Sequence, residues 1–486
     1  MGQISVAFPS VELSMTDIEY LRYSSAPTST ILTKDDRRRI AFAVRKNIDG
    51  DGVDRRDLGI LHISDSHSVT HQLVLASQIA KESSDIQAII NTGDLVGSTF
   101  GNSSVDALEN VFKAMNMCGK PTFLVIGNHD RGNTTSVMQG ASLKDVHDYF
   151  IKPIHDAGHL TDQEYVEGEC YYYHDFKEKG IRLITLNQYD NDDLEENEYW
   201  EAIDYDPSLG KMSFNTSYTY DESNPLKLNC GNYTKHSFKL KKSVSISRTG
   251  VYRSVTGEPT FKIHTGSIVY SEKQLNWFCK TLLSTPVNYK VVVAIHAPVG
   301  DNMVVQAAKF SELIGQGQTG ADVNQSCLEK DIIQDILKAF NEKQNFSENV
   351  KFKDVSGNNG KAAYLNTKTD SSGGKYAYTI ACDFSKASNA QFLCFIGGHI
   401  HWDTIYKDEN YGFNSIHCIG ACNTAGGGSQ GGTPVAATWN EDSEYAFNVI
   451  GFGKPNTPTM KEIRMVRVGN ALTNTGKIFD FVKIDG

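Results

Sequence analysis

The tripeptide Asp65-Ser66-His67 constrains this chain more than any other stretch. It follows Leu58-Gly59-Ile60-Leu61-His62-Ile63-Ser64, a mostly apolar run that reads as a buried strand. A carboxylate and an imidazole therefore stand where a strand gives way to a loop. One such tripeptide is common in any large protein, but four further stretches have the same design. Residues Ile86–Thr92 run into Gly93-Asp94, and Thr122–Ile126 run into Gly127-Asn128-His129-Asp130. Residues Lys290–Ile295 run into His296, and Phe392–Ile396 run into Gly397-Gly398-His399-Ile400-His401. Chance rarely supplies five strand ends that each deliver Asp, Asn or His.

Between these strands the apolar spacing becomes helical. Val69 to Glu82 reads as a helix, and Val105, Leu108, Phe112 and Met115 fall on one helical face. Ser271-Glu272-Lys273-Gln274 looks like a helix start, with Leu275, Phe278 and Leu282 on the face that follows. Ile181–Leu186 gives a further strand ending at Asn187. Strands alternating with helices predict a layered α/β core. Two long polar segments interrupt the rhythm, at about 188–268 and 301–390. They exceed ordinary connections and are expected to carry structure of their own or to cover a site. In the second, Ser326-Cys327-Leu328-Glu329 looks like a capping box before Ile332, Ile333, Ile336 and Phe340. Thr33 to about Lys46 reads as a linker helix within an N-terminal arm, residues 1–57. The main domain is expected over 58–430, with a strand-rich extension over 431–486.

Composition excludes several classes. With 486 residues and 40% hydrophobic content, the chain can bury a large core. A net charge of −11 argues against a nucleic-acid-binding surface, leaving nucleic acid only as a substrate. No run approaches the roughly 18 apolar residues of a membrane span. Residues 1–10 lack a basic start followed by an apolar stretch, so no cleaved secretory signal is expected. Nine cysteines without a C-x-x-C pair fit free thiols in a reducing, cytoplasmic compartment.

The strand ends supply Asp65, His67, Asp94, Asn128, His129, His296, His399 and His401. Carboxylate, amide and imidazole donors suit first-row divalent ions such as Mn, Fe or Zn. The absence of thiolate from the set disfavours a closed structural zinc site. With His129 set aside, seven candidates are too many for one ion and about right for two. Strand C-termini are also where α/β sheets place their sites.

The series Asp-x-His, Gly-Asp, Gly-Asn-His-Asp, His, Gly-His-x-His resembles the calcineurin-like metallophosphoesterase superfamily, over about residues 58–420. The resemblance implies a layered α/β sandwich with the metal site at the strand C-terminal ends, interrupted here by large insertions. It implies that Asp65, His67 and His401 hold one ion, that Asp94 bridges both, and that Asn128, His296 and His399 complete the second. His129 would face the substrate, oriented by Asp130, and these two are the catalytic candidates. The implied activity is phosphodiester or phosphomonoester hydrolysis by a hydroxide shared between two divalent transition-metal ions, on a small phosphate-ester substrate. Leu95, Val96 and Gly97 follow Asp94, so the tyrosine ligand of purple acid phosphatases is missing. Asp130 stands where protein Ser/Thr phosphatases usually carry Glu. The pattern looks more like the class III cyclic-nucleotide and related phosphodiesterases. The tail around Tyr445–Ile450 faintly resembles phage-encoded members, so a virion-associated protein that keeps the fold without activity is the competing expectation.

Other features read as structural. His62 and His417 are expected to pack within strands, and His71 to meet solvent or cap its helix. Tyr171-Tyr172-Tyr173 reads as sheet packing. Asn47 to Asp54 is acidic but fails the calcium-loop pattern: the sixth and twelfth positions hold Asp54 and Ile60 where Gly and a carboxylate are needed. Gly426 to Gly432 reads as a flexible turn.

Overall fold

The computed structural model describes residues 38–42, 58–97, 102–131, 143–190, 198–202, 219–220, 228–229, 238–242, 244–245, 252–253, 268–299, 303–305, 328–353, 366–400, 404–418, 447–453, 462–468 and 479–485. His401, the acidic stretch from Asn47 to Asp54, most of the expected linker helix and Gly426 to Gly432 lie outside these residues.

Two sheets form the centre. In the first, β1 (Leu58–Ile63), β2 (Ile86–Asn91) and β3 (Thr122–Leu124) run parallel. On the other side of β1 lie β13 (Phe447–Phe452), β14 (Glu462–Val468) and β15 (Phe479–Asp485), all antiparallel, giving the order β15-β14-β13-β1-β2-β3. The strands after residue 431 thus join the sheet that holds the first motif. The second sheet is built on four parallel strands, β5 (Ile181–Thr185), β6 (Lys290–Ala294), β10 (Gln391–Gly397) and β12 (Asn414–His417). Antiparallel β4 (Tyr172–Phe176), β11 (Thr404–Asp408) and β7 (Met303–Val305) flank them, in the order β7-β11-β12-β10-β6-β5-β4.

Side chains alternate across the strands of the second sheet, and the alternation sets the layers. Leu183, Val292, Ala294, Cys394 and Ile396 belong to one apolar core with the strands of the first sheet and with helices α1 (His71–Glu82) and α2 (Asn102–Asn116). Ile184, Leu186, Val291, Val293 and Ile295 face the opposite way. They pack with α3 (Glu272–Leu283) and α4 (Ile332–Glu342) in a second core. The result is four layers, helices–sheet–sheet–helices. It explains why β1 and β6 read as unbroken apolar runs: both faces of each strand are covered, and every residue of both is buried.

The helices expected within the described residues form at the expected places, with two differences. Helix α3 starts at Ser271, whose side chain accepts from the Gln274 amide. Helix α4 starts at Asp331, five residues after the expected Ser326 cap, and Asp331 accepts from the Gln334 amide. One cap replaces another at little net cost, each being worth about 1 kcal/mol. The later start frees Leu328 to form a bridge with Phe352, and both side chains are buried. Burial of such a side chain is worth about 1.5–3 kcal/mol. His71, expected at solvent or as a cap, is fully buried, and the residue at the cap position is Thr70.

The described part of the second long segment does not fold over the strand ends. Helix α4 and the hairpin of β8 (Asn345–Val350) and β9 (Tyr378–Asp383) build the outer layer of the second sheet. Phe340 packs edge-on against Phe384 in that layer, and the Tyr378 hydroxyl donates to the Tyr270 carbonyl at 2.5 Å. A tyrosine also ties the sheet edges together. Tyr172 of β4 accepts from the Leu124 amide at 2.8 Å and donates to the Leu124 carbonyl at 2.9 Å. Among the described residues the cysteines are free thiols, and no helix is long and apolar enough to cross a membrane.

Candidate metal centre

All the described motif residues meet at one end of the two sheets, just past the C-termini of β1, β2, β3, β6 and β10. The loops after β1 and β2 are bonded backbone to backbone. The Asp65, His67 and Ser68 amides donate to the carbonyls of Gly93, Asp94 and Leu95, at 2.9, 2.9 and 2.8 Å. To make these bonds Asp65, His67 and Asp94 adopt left-handed backbone, with φ of 48, 44 and 53°. His399 does the same at 71°. Such conformations cost non-glycine residues about 1–3 kcal/mol each and cluster at functional sites.

Asp94 is the centre of the arrangement. Its Oδ1 accepts the His129 amide at 2.8 Å. Its Oδ2 lies 3.5 Å from His67 Nε2 on one side and 3.3 Å from His296 Nε2 on the other. One carboxylate oxygen thus faces both groups of donors. Beyond His296 the donors crowd further. Asn128 Oδ1 lies 3.2 Å from His296 Nε2 and 3.1 Å from His399 Nδ1, and those two nitrogens are 3.2 Å apart. Atoms bound to one ion at about 2.0–2.2 Å are separated from one another by about 3 Å, so these three fit around a common cation. His67, Asp94 and His129 form a second set of atoms within 4.8 Å of one another, as do Asp94, His296 and His399. Asp65 closes the first side, with Oδ1 3.9 Å from His67 Nε2 and Oδ2 accepting the His399 amide at 2.9 Å.

The electrostatics agree with the geometry. Burial works to raise the Asp94 carboxyl, but the His296, His67 and His129 imidazoles outweigh it and hold it well below the usual carboxylate range. Burial works to lower His296, but Asp94, by charge and hydrogen bond, together with Asp65 and the Thr92 carbonyl, raises it to about 9. The pull these buried carboxylates exert on a proton is the pull they would exert on a cation. His296 Nδ1 faces the Thr92 carbonyl at 2.8 Å, which turns Nε2 toward Asp94 and Asn128.

Asp130 takes a different role from the one expected. The Asp130 carboxylate does not orient the His129 ring. Its Oδ1 accepts from the Leu95 and Val96 amides and its Oδ2 from the Gly127 amide. Asp130 therefore braces the backbone just after Asp94 and just before Asn128. Burial, then the charge of Asp94, push its carboxyl up to about 8. The His129 ring is held by the Gly97 carbonyl, 3.2 Å from Nδ1, and its Nε2 lies 3.9 Å from Asp94 Oδ2. Its side chain is 18% exposed, against 10% for His67 and none for His296. Burial lowers its affinity for a proton.

Two glycines show how closely the loops approach. A Cβ on Gly127 would lie 2.1 Å from Asp94 Oδ1, and one on Gly398 would lie 1.7 Å from Ser64 Oγ. Beneath the centre His62 and His417 are buried and neutral, lowered by burial to about 3 and about 4. His417 lies between the Gly398 carbonyl, 3.0 Å from Nδ1, and the Ser415 hydroxyl, 2.7 Å from Nε2.

The sequence reading missed Gln188. Its Oε1 accepts from the amides of His296 and Ala297, at 2.9 and 2.6 Å. The signal was present: the run from Ile181 is a sixth strand that ends in polar residues, Asn187 and Gln188, beside the same face.

Residues 58–234 match the family model of the calcineurin-like phosphoesterases, a stretch that holds Asp65, His67, Asp94, Asn128 and His129. No curated protein sequence matches the chain. Among solved structures it is similar to a dimetal phosphatase from Danio rerio, at 11% identity over 88% of this chain and 98% of that one, with a TM-score of 0.39. It is similar to a purple acid phosphatase from yellow lupin seeds, at 11% identity over 88% of this chain and 54% of that one, with a TM-score of 0.36. It is also similar to a phosphopantetheinyl hydrolase from Mycobacterium tuberculosis, at 10% identity over 74% and 88%, with a TM-score of 0.28. The family match falls on the strands and loops that carry the first three motifs, and over residues 58–234 the sequence is that of a calcineurin-like phosphoesterase.

Proposed function

We propose that this protein is a phosphoester hydrolase with a dinuclear divalent-metal centre, acting on phosphodiesters or small nucleotides. The observation that carries the reading is the place of Asp94 Oδ2 between His67 and His296. In this reading Asp65, His67 and His401 hold one ion, and Asn128, His296 and His399 hold the other. Asp94 would be shared by both. Manganese, iron or zinc suits the donors. Two such ions would polarise a phosphoryl oxygen and make water a strong nucleophile at neutral pH.

The chain's own residues supply the rest. Asp94 Oδ1 and the Gly97 carbonyl fix the backbone and ring of His129 from one side. A ring held at Nδ1 presents Nε2 to the substrate, and in the imidazolium form, which the Asp94 charge favours against burial, Nε2–H can give its proton to the departing oxygen. Asp130 keeps the Gly127 amide, and with it Asn128, in register with the loop after Asp94. The apolar layer below the strand ends excludes water from Asp65, Asp94 and His296, all of which are nearly or fully buried.

The diester preference rests on the motif pattern and on the first long segment. Its two stems meet beside His296, where the Val269 amide donates to the Gln188 carbonyl at 2.7 Å and the Asp190 amide to the Val269 carbonyl at 3.2 Å. Gln188 and Tyr189 of the first stem thus stand beside His296, and their polar ends suit a small-molecule substrate. The test is turnover of chromogenic diesters and monoesters after removal of metal and reloading with Mn, Fe, Zn, Ni or Mg. Faster diester turnover with a transition metal is expected. Monoester preference would overturn the substrate assignment, and no turnover with any metal would overturn the whole reading.

A further inference from the structure

The polar groups behind the centre raise the question of what holds His296 itself. It sits two residues beyond the end of β6, where its carbonyl accepts from the Gly398 amide at 2.8 Å but its own amide has no strand partner. Gln188 takes over at that point. Its side chain is fully buried. Its Oε1 accepts from both the His296 and Ala297 amides, and its Nε2 donates to the Ala297 carbonyl at 3.0 Å. Three hydrogen bonds from one side-chain amide thus clamp three successive peptide units. Gln188 is in turn held from the far stem of the first long segment, through the Val269 amide and the bridge between Tyr189 and Val269. The loops of Asp65 and Asp94 hold each other by their backbones.

We infer that Gln188 is a positioning residue for the ion on the His296 side, acting through the His296 backbone and not by contact with the ion. The inference rests on the proposed metal-dependent reading. It assigns to one side chain the occupancy of one of the two ions. Without Gln188, two buried amides lose their partner, and the peptide of His296 can turn to find water or another acceptor. His296 Nε2 then leaves its place 3.2 Å from Asn128 Oδ1 and His399 Nδ1. The other ion, whose proposed donors Asp65 and His67 make no bond to Gln188, is expected to keep its affinity. Loss of a group that orients a ligand typically weakens metal binding by about 10–100-fold.

The experiment is titration of chelator-treated full-length protein with Mn(II). Stoichiometry is read by elemental analysis after desalting, and affinity by calorimetry. Gln188→Met keeps length and volume but loses all three hydrogen bonds, while Gln188→Glu keeps the oxygen that both amides need. The parent should bind two ions. Gln188→Met should bind one at parental affinity and the second about 10–100-fold more weakly. Gln188→Glu should recover both. Equal weakening of both ions in Gln188→Met, or two ions at parental affinity, overturns the inference alone. A parent that binds no ion overturns the metal reading and the inference with it. If thermal unfolding shows that Gln188→Met does not fold, Gln188→Glu decides. Two tightly bound ions then sustain the role of the acceptor oxygen, and loss of the second ion ends it.

Discussion

On the side of the first sheet, Asp65, His67 and Asp94 are fixed by amide–carbonyl bonds between two loops in left-handed backbone. On the side of the second sheet, His296 is fixed by the Gln188 side chain and the Thr92 carbonyl. His399 is fixed by the Asp65 carboxylate on its amide. The first half rests on main-chain bonds between its two loops, with the Asp130 carboxylate adding a brace on the Leu95 and Val96 amides, so no single side chain carries it alone. The second half can be loosened by single substitutions at positions that touch no ion. A centre built this way should show one robust ion and one conditional ion.

The largest expected effect comes from the residue both halves share. Asp94→Ala should abolish turnover and remove both ions, since Oδ2 faces each group. Elemental analysis that finds one ion still in place would separate the halves into independent sites and break the comparison at its centre. Next is His129→Asn, which should lower kcat by about 10²–10⁴-fold while both ions stay. Loss of metal in this variant would make His129 a donor and enlarge the first half.

A smaller effect is expected where the halves touch. Gly398→Ala forces a methyl group into Ser64 Oγ and Asp65 Oδ2. It should destabilise the fold by about 1–3 kcal/mol, as overpacking does, and displace His399. Unchanged thermal unfolding with two ions retained would show that the turn after β10 yields more readily than its contacts imply. The smallest is Tyr172→Phe, at the far edge of the sheets. Losing its two bonds to Leu124 should cost about 1–3 kcal/mol and leave metal content unchanged. A change in metal affinity would mean that the sheet edges, and not the loops alone, set the centre.

Much of this was legible in the sequence. The five strand ends could be read because strands covered on both faces are uniformly apolar, so Asp, Asn and His stand out where each run stops. The seams were not legible. Asp130 could be read as a carboxylate beside a histidine, but its three amide partners come from two loops that meet only in the fold. Gln188 is one polar residue among many in a polar segment. His71 reads as polar, yet almost the whole of α1 is enclosed, so even its polar positions are buried. The helix after Ser326 was misplaced because two capping patterns lie five residues apart, and only the burial of Leu328 separates them.

The strand that carries the first motif has a neighbour from nearly the other end of the chain. Leu58 pairs with Phe452, and Ile60 with Ile450. During synthesis β1 and β2 emerge early, but one edge of β1 stays bare until about 390 more residues have been made. That edge is apolar and in the middle of the sheet, the kind of surface that pairs with other chains when uncovered. The growing protein must therefore be shielded, or must fold late. A shortened chain lacking residues after 431 would expose on its surface the strand that leads into Asp65 and His67.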